Sequence, residues 1–178
     1  PTTQAEIRMK DGRRVVERFM PGCFDESINT TDDIFCCYNH DENVVLARRS
    51  SNTLSVNSTA AGLEYRAAYD SSDPDHQRVL AKIRRGDVRG SSLIFMVAPQ
   101  GETWSVEDGV YVRSIRRARV KEVGPTPIPV YAATTAEARS LLGTLADINP
   151  ATIDRTIAMQ QRSAGGPPLP IELWTPRR

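Results

Sequence analysis

A mainly β fold with peripheral helices, closing fully or nearly into a barrel, is what this 178-residue sequence predicts. Short β-rich runs, separated by Gly, Pro and Asp turn residues, fill the chain as far as Tyr131. A single well-capped helix interrupts them. After Tyr131 the composition turns helix-forming and then Gly/Pro-rich.

Ile7 to Lys10 and Arg14 to Met20 flank Asp11-Gly12, a hairpin signal. Pro21-Gly22 breaks the second strand, and Cys23 to Ile28 suits a short helix. Asp33 to His40 is a β-rich run whose centre, Ile34-Phe35-Cys36-Cys37-Tyr38, is almost continuously apolar, as expected of a strand buried on both faces. Val44 to Arg48, Thr53 to Asn57 and Leu63 to Tyr69 read as further strands. The helix follows: Asp73 caps it, Pro74 opens its first turn, Val79, Leu80 and Ile83 share a face, and Gly86 stops it. Strands resume at Ser91 to Val97, Val110 to Ile115, Arg119 to Val123 and Ile128 to Tyr131.

Ala136 to Ala146 reads as a helix, and Ala151 to Gln161 as another opened by Pro150. Gly165-Gly166-Pro167-Pro168 marks a flexible linker before an end expected to be disordered. The division expected is a β-barrel domain over 1–134 and a helical C-terminal appendage over 135–178. There is no internal repeat.

Twenty-three basic residues balance 22 acidic ones, so the chain lacks the excess charge of a dedicated nucleic-acid binder. The densest basic cluster, Arg113, Arg116, Arg117, Arg119 and Lys121, alternates with apolar residues and reads as the solvent face of strands. No window approaches the roughly 20 apolar residues of a membrane span, and Pro1 to Lys10 is too polar for a signal peptide. Neither nucleic acid nor membrane is an expected partner. Cys23, Cys36 and Cys37 are odd in number, and two are adjacent. They are expected to be reduced and buried, in a cytosolic setting.

Chemistry narrows to few residues. Of two histidines, His76 falls inside the helix and reads as a solvated surface residue. His40 ends a buried strand at the polar turn Asn39-His40-Asp41-Glu42-Asn43. That position is ordinary for a structural turn residue, and it also suits a general base, since imidazole titrates near neutrality. Cys37 is a weak alternative nucleophile, because strand residues three apart face opposite sides. Gly90-Ser91-Ser92-Leu93 opens a strand with two hydroxyls, either turn residues or a nucleophile if a histidine is in reach. Lacking GxSxG, this segment disfavours an α/β-hydrolase. Glu122, between apolar neighbours, is either an exposed strand carboxylate or the group that orients a histidine. Asp41, adjacent to His40, would point away from it. No His/Cys/Asp cluster has metal-ligand spacing, so neither metal nor cofactor is expected.

Read together, these segments resemble the prohead protease family of tailed phages, in the family's order from about Val16 to Thr135. Phe19-Met20-Pro21-Gly22-Cys23-Phe24-Asp25-Glu26-Ser27-Ile28 is similar to its F-x-P-G-A-F-D-x-S-I block. Asn39-His40-Asp41 with Val45-Leu46-Ala47-Arg48 is similar to the H-D block and trailing L-G-R, and Thr53-Leu54 and Gly62-Leu63 match the next landmarks. Arg85 to Phe95 is similar to R-G-D-I-x-G-M-S-F-G-F, and Glu122-Val123 with Pro129-Val130-Tyr131 to E-V-S…P-A-Y. Two departures stand out: Ile94 where the family favours glycine, and Gly124 in place of the serine of E-V-S. Pro125 and Pro127 also make the last block less strand-like.

The resemblance implies a barrel of the herpesvirus-protease type and a serine endopeptidase. Carried across by motif position, His40 is the base, Ser92 rather than Ser91 the nucleophile, and Glu122 the third member. It implies as substrates the scaffold or the N-terminal extension of the major capsid protein, and the enzyme's own tail, cut inside the assembling prohead in the host cytoplasm. Self-association is left open. The competing expectation is a non-catalytic scaffold or capsid-assembly module on the same barrel.

Overall fold

The computed structural model describes residues 3–8, 13–59, 62–128, 137–140 and 150–163. Strands β1 (Thr3–Arg8) and β2 (Arg14–Phe19) form the expected antiparallel hairpin. β2 then runs parallel to β9 (Val110–Ile115), which pairs antiparallel with β8 (Glu102–Glu107), giving a four-stranded sheet in the order β1-β2-β9-β8. β8 was not expected from sequence. Its burial comes from a distant partner: helix α3 (Pro150–Ser163) lays Ile153 and Ile157 against Val15, Trp104 and Tyr111 of this sheet. Gln160 Oε1 accepts from the Trp104 N–H at 2.9 Å, and Tyr111 Oη donates to Asp154 at 2.8 Å.

A second sheet has the order β11-β7-β10-β3-β4, built from β3 (Phe35–Cys37), β4 (Val45–Arg48), β7 (Gly90–Val97), β10 (Ala118–Thr126) and β11 (Glu137–Ser140). β7 and β10 pair antiparallel along their length, while β3 joins β10 parallel. β5 (Leu54–Thr59) and β6 (Gly62–Ala67) form a separate hairpin. Among the described residues no sheet closes on itself; the mainly β class with few helices holds. One face of the five-stranded sheet meets α1 (Asp25–Asn29), β2 and β5 in the main core, around Phe19, Phe24, Ile34, Phe95 and Val120. Phe19 and Phe95 meet edge-to-face at 5.1 Å between ring centroids, a favoured aromatic geometry.

Helix α2 (Pro74–Arg85) forms as its local signals dictate. Asp73 accepts from the Asp75 and His76 N–H groups, and Gly86 takes the left-handed conformation at φ 81°. Other expectations are corrected. His76 is buried: its Nδ1 accepts from the Asp70 N–H at 2.9 Å, because the segment entering the helix folds back over its first turn. Arg113 is buried too, paired with Glu17 at 2.7 Å, while Arg116, Arg117, Arg119 and Lys121 are exposed. The strand from Asp33 ends at Cys37, where the chain turns toward His40. Within the expected helix 136–146, Glu137–Ser140 instead pairs parallel with β7 and reaches a sheet edge that local periodicity cannot reveal; the rest of that helix lies outside the described residues. Ile128 is an exposed bend rather than a strand residue, and Pro129 to Tyr131 lie outside the described residues, as does the expected linker and tail from Ala164. β10 runs through Pro125 despite its missing N–H. The Pro125 carbonyl accepts from the Asn39 N–H on the side where β3 has already ended. A strand residue's N–H and C=O point the same way, so no ladder bond is lost.

Candidate active site

Three side chains from three separate segments converge on the face of the five-stranded sheet opposite the main core. Ser92 comes from β7, Glu122 from β10, and His40 from the turn after β3. His40 Nδ1 lies 2.8 Å from Glu122 Oε1, and His40 Nε2 contacts Ser92 Oγ. A carboxylate only accepts, so Nδ1 carries the proton. That tautomer leaves the Nε2 lone pair facing the Ser92 hydroxyl. Ser92 and Glu122 are 2% and 6% exposed, so water screens these contacts poorly.

Each side chain has a local reason for its direction. On β7, Leu93 and Phe95 enter the core, and period two sends Ser92 to the other face. Ser91 is on the core side, its Oγ 2.9 Å from the Tyr65 hydroxyl and turned away from His40. The segment offers two hydroxyls, and the structure brings that of Ser92, not that of Ser91, to the imidazole. Asp41 folds onto its own turn, accepting from the Asn43 N–H and Nδ2 at 2.9 Å, and these bonds hold its carboxyl below the usual carboxylate range.

His40 stands on an unusual backbone. Asn39 and His40 have φ of 54° and 61°, a left-handed region that costs roughly 1–3 kcal/mol for a residue other than glycine. The end of β10 supplies the restraint. The Asn39 N–H donates to the Pro125 carbonyl at 2.9 Å, and the buried Thr126 Oγ1 donates to Asn39 Oδ1 at 2.9 Å. This two-bond clasp fixes the turn carrying His40 to the strand carrying Glu122. Sequence reading missed both Asn39 and Thr126; the one available signal was asparagine, which tolerates the left-handed region, directly before the histidine.

Cys37 does not join the group. It is buried with Cys36 and Cys23, and all three thiols are pushed up to about 12, chiefly by burial. A thiol so disposed is a poor nucleophile near neutral pH. Gly124 sits opposite Ser92 and packs directly on the Cys37 carbonyl oxygen, where a Cβ would lie far inside van der Waals contact. Among the described residues, no three or more His, Cys, Asp or Glu side chains gather as a metal-binding group. Nor is any helix of the described residues long and apolar enough to cross a membrane.

A hydroxyl, an imidazole and a carboxylate hydrogen-bonded in that order form a proton-relay unit able to make a serine nucleophilic. No curated protein and no solved structure matches the chain. A family model described as Caudovirus prohead serine protease matches residues 6–146, a span containing all three side chains.

Proposed function

The chain belongs to the caudovirus prohead serine protease family, and on that premise we propose that Ser92, His40 and Glu122 are its nucleophile, general base and orienting carboxylate. The observation that carries this is the unbroken Glu122–His40–Ser92 hydrogen-bond chain. His40 Nε2 takes the Ser92 proton as Oγ attacks a peptide carbonyl carbon, giving a tetrahedral oxyanion. The imidazolium then returns that proton to the leaving amine, the C–N bond breaks, and an acyl-enzyme remains. Water, deprotonated by the same Nε2, attacks the ester carbonyl, and Ser92 recovers its proton. Throughout, Glu122 accepts the Nδ1–H bond and steadies the imidazolium charge.

The family acts in capsid maturation. Within that role, the reading is of an endopeptidase that cuts the scaffold or the N-terminal extension of the major capsid protein inside the assembling prohead. Closure of the two large sheets into a barrel of the herpesvirus-protease type belongs to the same reading. So does the division into a barrel unit over 1–134 and an appendage over 135–178, whose β11 and α3 pack on the two sheets and whose far end tethers the enzyme in the shell, where confinement raises its effective concentration. The appendage is a second substrate, trimmed by self-cleavage.

Co-expression with the cognate capsid and scaffold proteins tests this. Wild-type protein shortens its substrate, and mass spectrometry finds its own C-terminus shortened; Ser92→Ala does neither, while Ser91→Ala does both. Cleavage that persists in a folded Ser92→Ala protein rejects the nucleophile assignment. A wild-type protein that cleaves nothing yet still enters particles favours the assembly-module alternative.

A further inference from the structure

A bulge in β10 decides which face of the sheet Glu122 occupies. β10 and β7 keep one register from Ala118↔Val97 to Val120↔Phe95, then slip by one residue, so that Glu122 pairs with Ile94 and Gly124 with Ser92. Residues directly opposite on neighbouring strands share a face. Val120 and Val123 therefore both join Phe95 and Leu93 in the core, although they stand three positions apart, an odd step that in a regular strand would put them on opposite faces. Glu122 goes with Ser92 and Ile94 to the other side. In an unbroken strand, period two would set Glu122 beside Val120, inside the apolar core and out of reach of His40.

The bulge is tied from outside the sheet. β3 enters register with β10 only at Phe35↔Glu122, so the preceding stretch of β10 has no strand on that side. The α1 segment fills the place: the Ala118 N–H donates to the Cys23 carbonyl at 2.8 Å, and the Val120 N–H donates to Ser27 Oγ at 2.9 Å. Val120 is the last residue before the slip. Ser27 is fully buried, so water cannot replace its hydroxyl, and a buried N–H without an acceptor is strongly disfavoured. The α1 turn is anchored in turn, since Thr30 Oγ1 donates to the Ser27 carbonyl at 3.0 Å.

We infer that Ser27 is a positioning residue: by holding Val120 at the near side of the bulge, its hydroxyl keeps Glu122 on the face of Ser92 and within reach of His40. This rests on the Ser92–His40–Glu122 reading, and it gives the Phe19–Ile28 segment a part in catalysis through the fully buried Ser27.

The test uses full-length Ser27→Ala, Glu122→Gln and the double variant, each compared with wild type. The readouts are the rate at which a fluorophosphonate probe labels Ser92, the low-field proton resonance of the imidazole Nδ1–H, and thermal unfolding. Ser27→Ala is expected to slow labelling roughly 10- to 100-fold, as misplacement on the order of 1 Å does. It should also shift or broaden the low-field resonance, and cause little further slowing when added to Glu122→Gln, since coupled groups are not additive. An equal slowing in both backgrounds, or an unmoved resonance in Ser27→Ala, overturns the positioning role and leaves Ser27 a core residue only. If Glu122→Gln alone labels at the wild-type rate, the triad reading falls and this inference with it. Should Ser27→Ala not fold, Ser27→Cys, similar in size but a weak acceptor, is read by the same criteria.

Discussion

The two large sheets each bury a glutamate, and the partner differs. In the four-stranded sheet, Glu17 meets Arg113 at 2.7 Å; Arg113 also holds Glu102 at 2.5 Å and lies 5.8 Å from the centre of the Trp104 ring. In the five-stranded sheet, Glu122 meets His40, which meets Ser92. A guanidinium does not give up its proton in a protein, so the first cluster is an electrostatic closure with nothing left to transfer. An imidazole has a second nitrogen, so here the carboxylate is linked onward to a hydroxyl, the connection the proposed mechanism uses. The difference teaches that burial of a charged group does not itself mark a reactive site. What marks it is a titratable partner that still has a free lone pair.

Substitutions sharpen the contrast, and the largest effect belongs to Ser92. Ser92→Ala should lower substrate cleavage by at least about 10⁴-fold while leaving circular dichroism and melting unchanged. Glu122→Gln should cost roughly 10²- to 10⁴-fold in kcat through loss of the Nδ1–H tautomer, again with a near-normal melt. The opposite signature is expected across the molecule. Arg113→Met removes the cation paired with buried Glu17 and should destabilise by about 3–5 kcal/mol in urea titration, with intact kcat in whatever fraction stays folded. If Arg113→Met abolished labelling in fully folded protein, the division between a structural and a reactive cluster would break. Thr126→Val opens one bond of the clasp; about 1 kcal/mol of stability and roughly tenfold in labelling rate are expected. The smallest effect is on the thiols. Cys23, Cys36 and Cys37 should resist a disulfide-exchange reagent in native protein near neutral pH and react only on unfolding. Their folded values, raised by burial to about 12 against an ordinary 9.0, mean that the native state keeps protons the unfolded chain has lost. Stability present below pH 9 should therefore fall as pH rises from 9 toward 12, which melts across that window will show.

Much of this was legible where the cause is local. Asp73 and Gly86 bound α2 because a cap acts within a few residues. Leu93 and Phe95 set the facing of Ser92 because strand period is short-range. His40, Ser92 and Glu122 stand out as candidates in the sequence, yet the roles proposed for them rest on resemblance, since no periodicity encodes contacts across 52 and 82 residues. The same distance hid β8, whose Trp104 is covered by α3, and the clasp between Asn39 and Thr126, 87 residues apart. One non-local feature did leave a trace. The core residues Ala118, Val120 and Val123 step by two and then by three, which is the bulge written in the hydrophobic pattern.

Gly124 carries a warning for protein engineers. It departs from the serine of the block it resembles, and consensus design would restore that residue. Here the side chain would be driven into the Cys37 carbonyl, and the strand end leading to Tyr38, Asn39 and His40 would have to retreat. The serine of that resemblance is thus a poor guide at this position. A stabilising library built on this scaffold should keep codon 124 fixed as glycine and spend its diversity elsewhere.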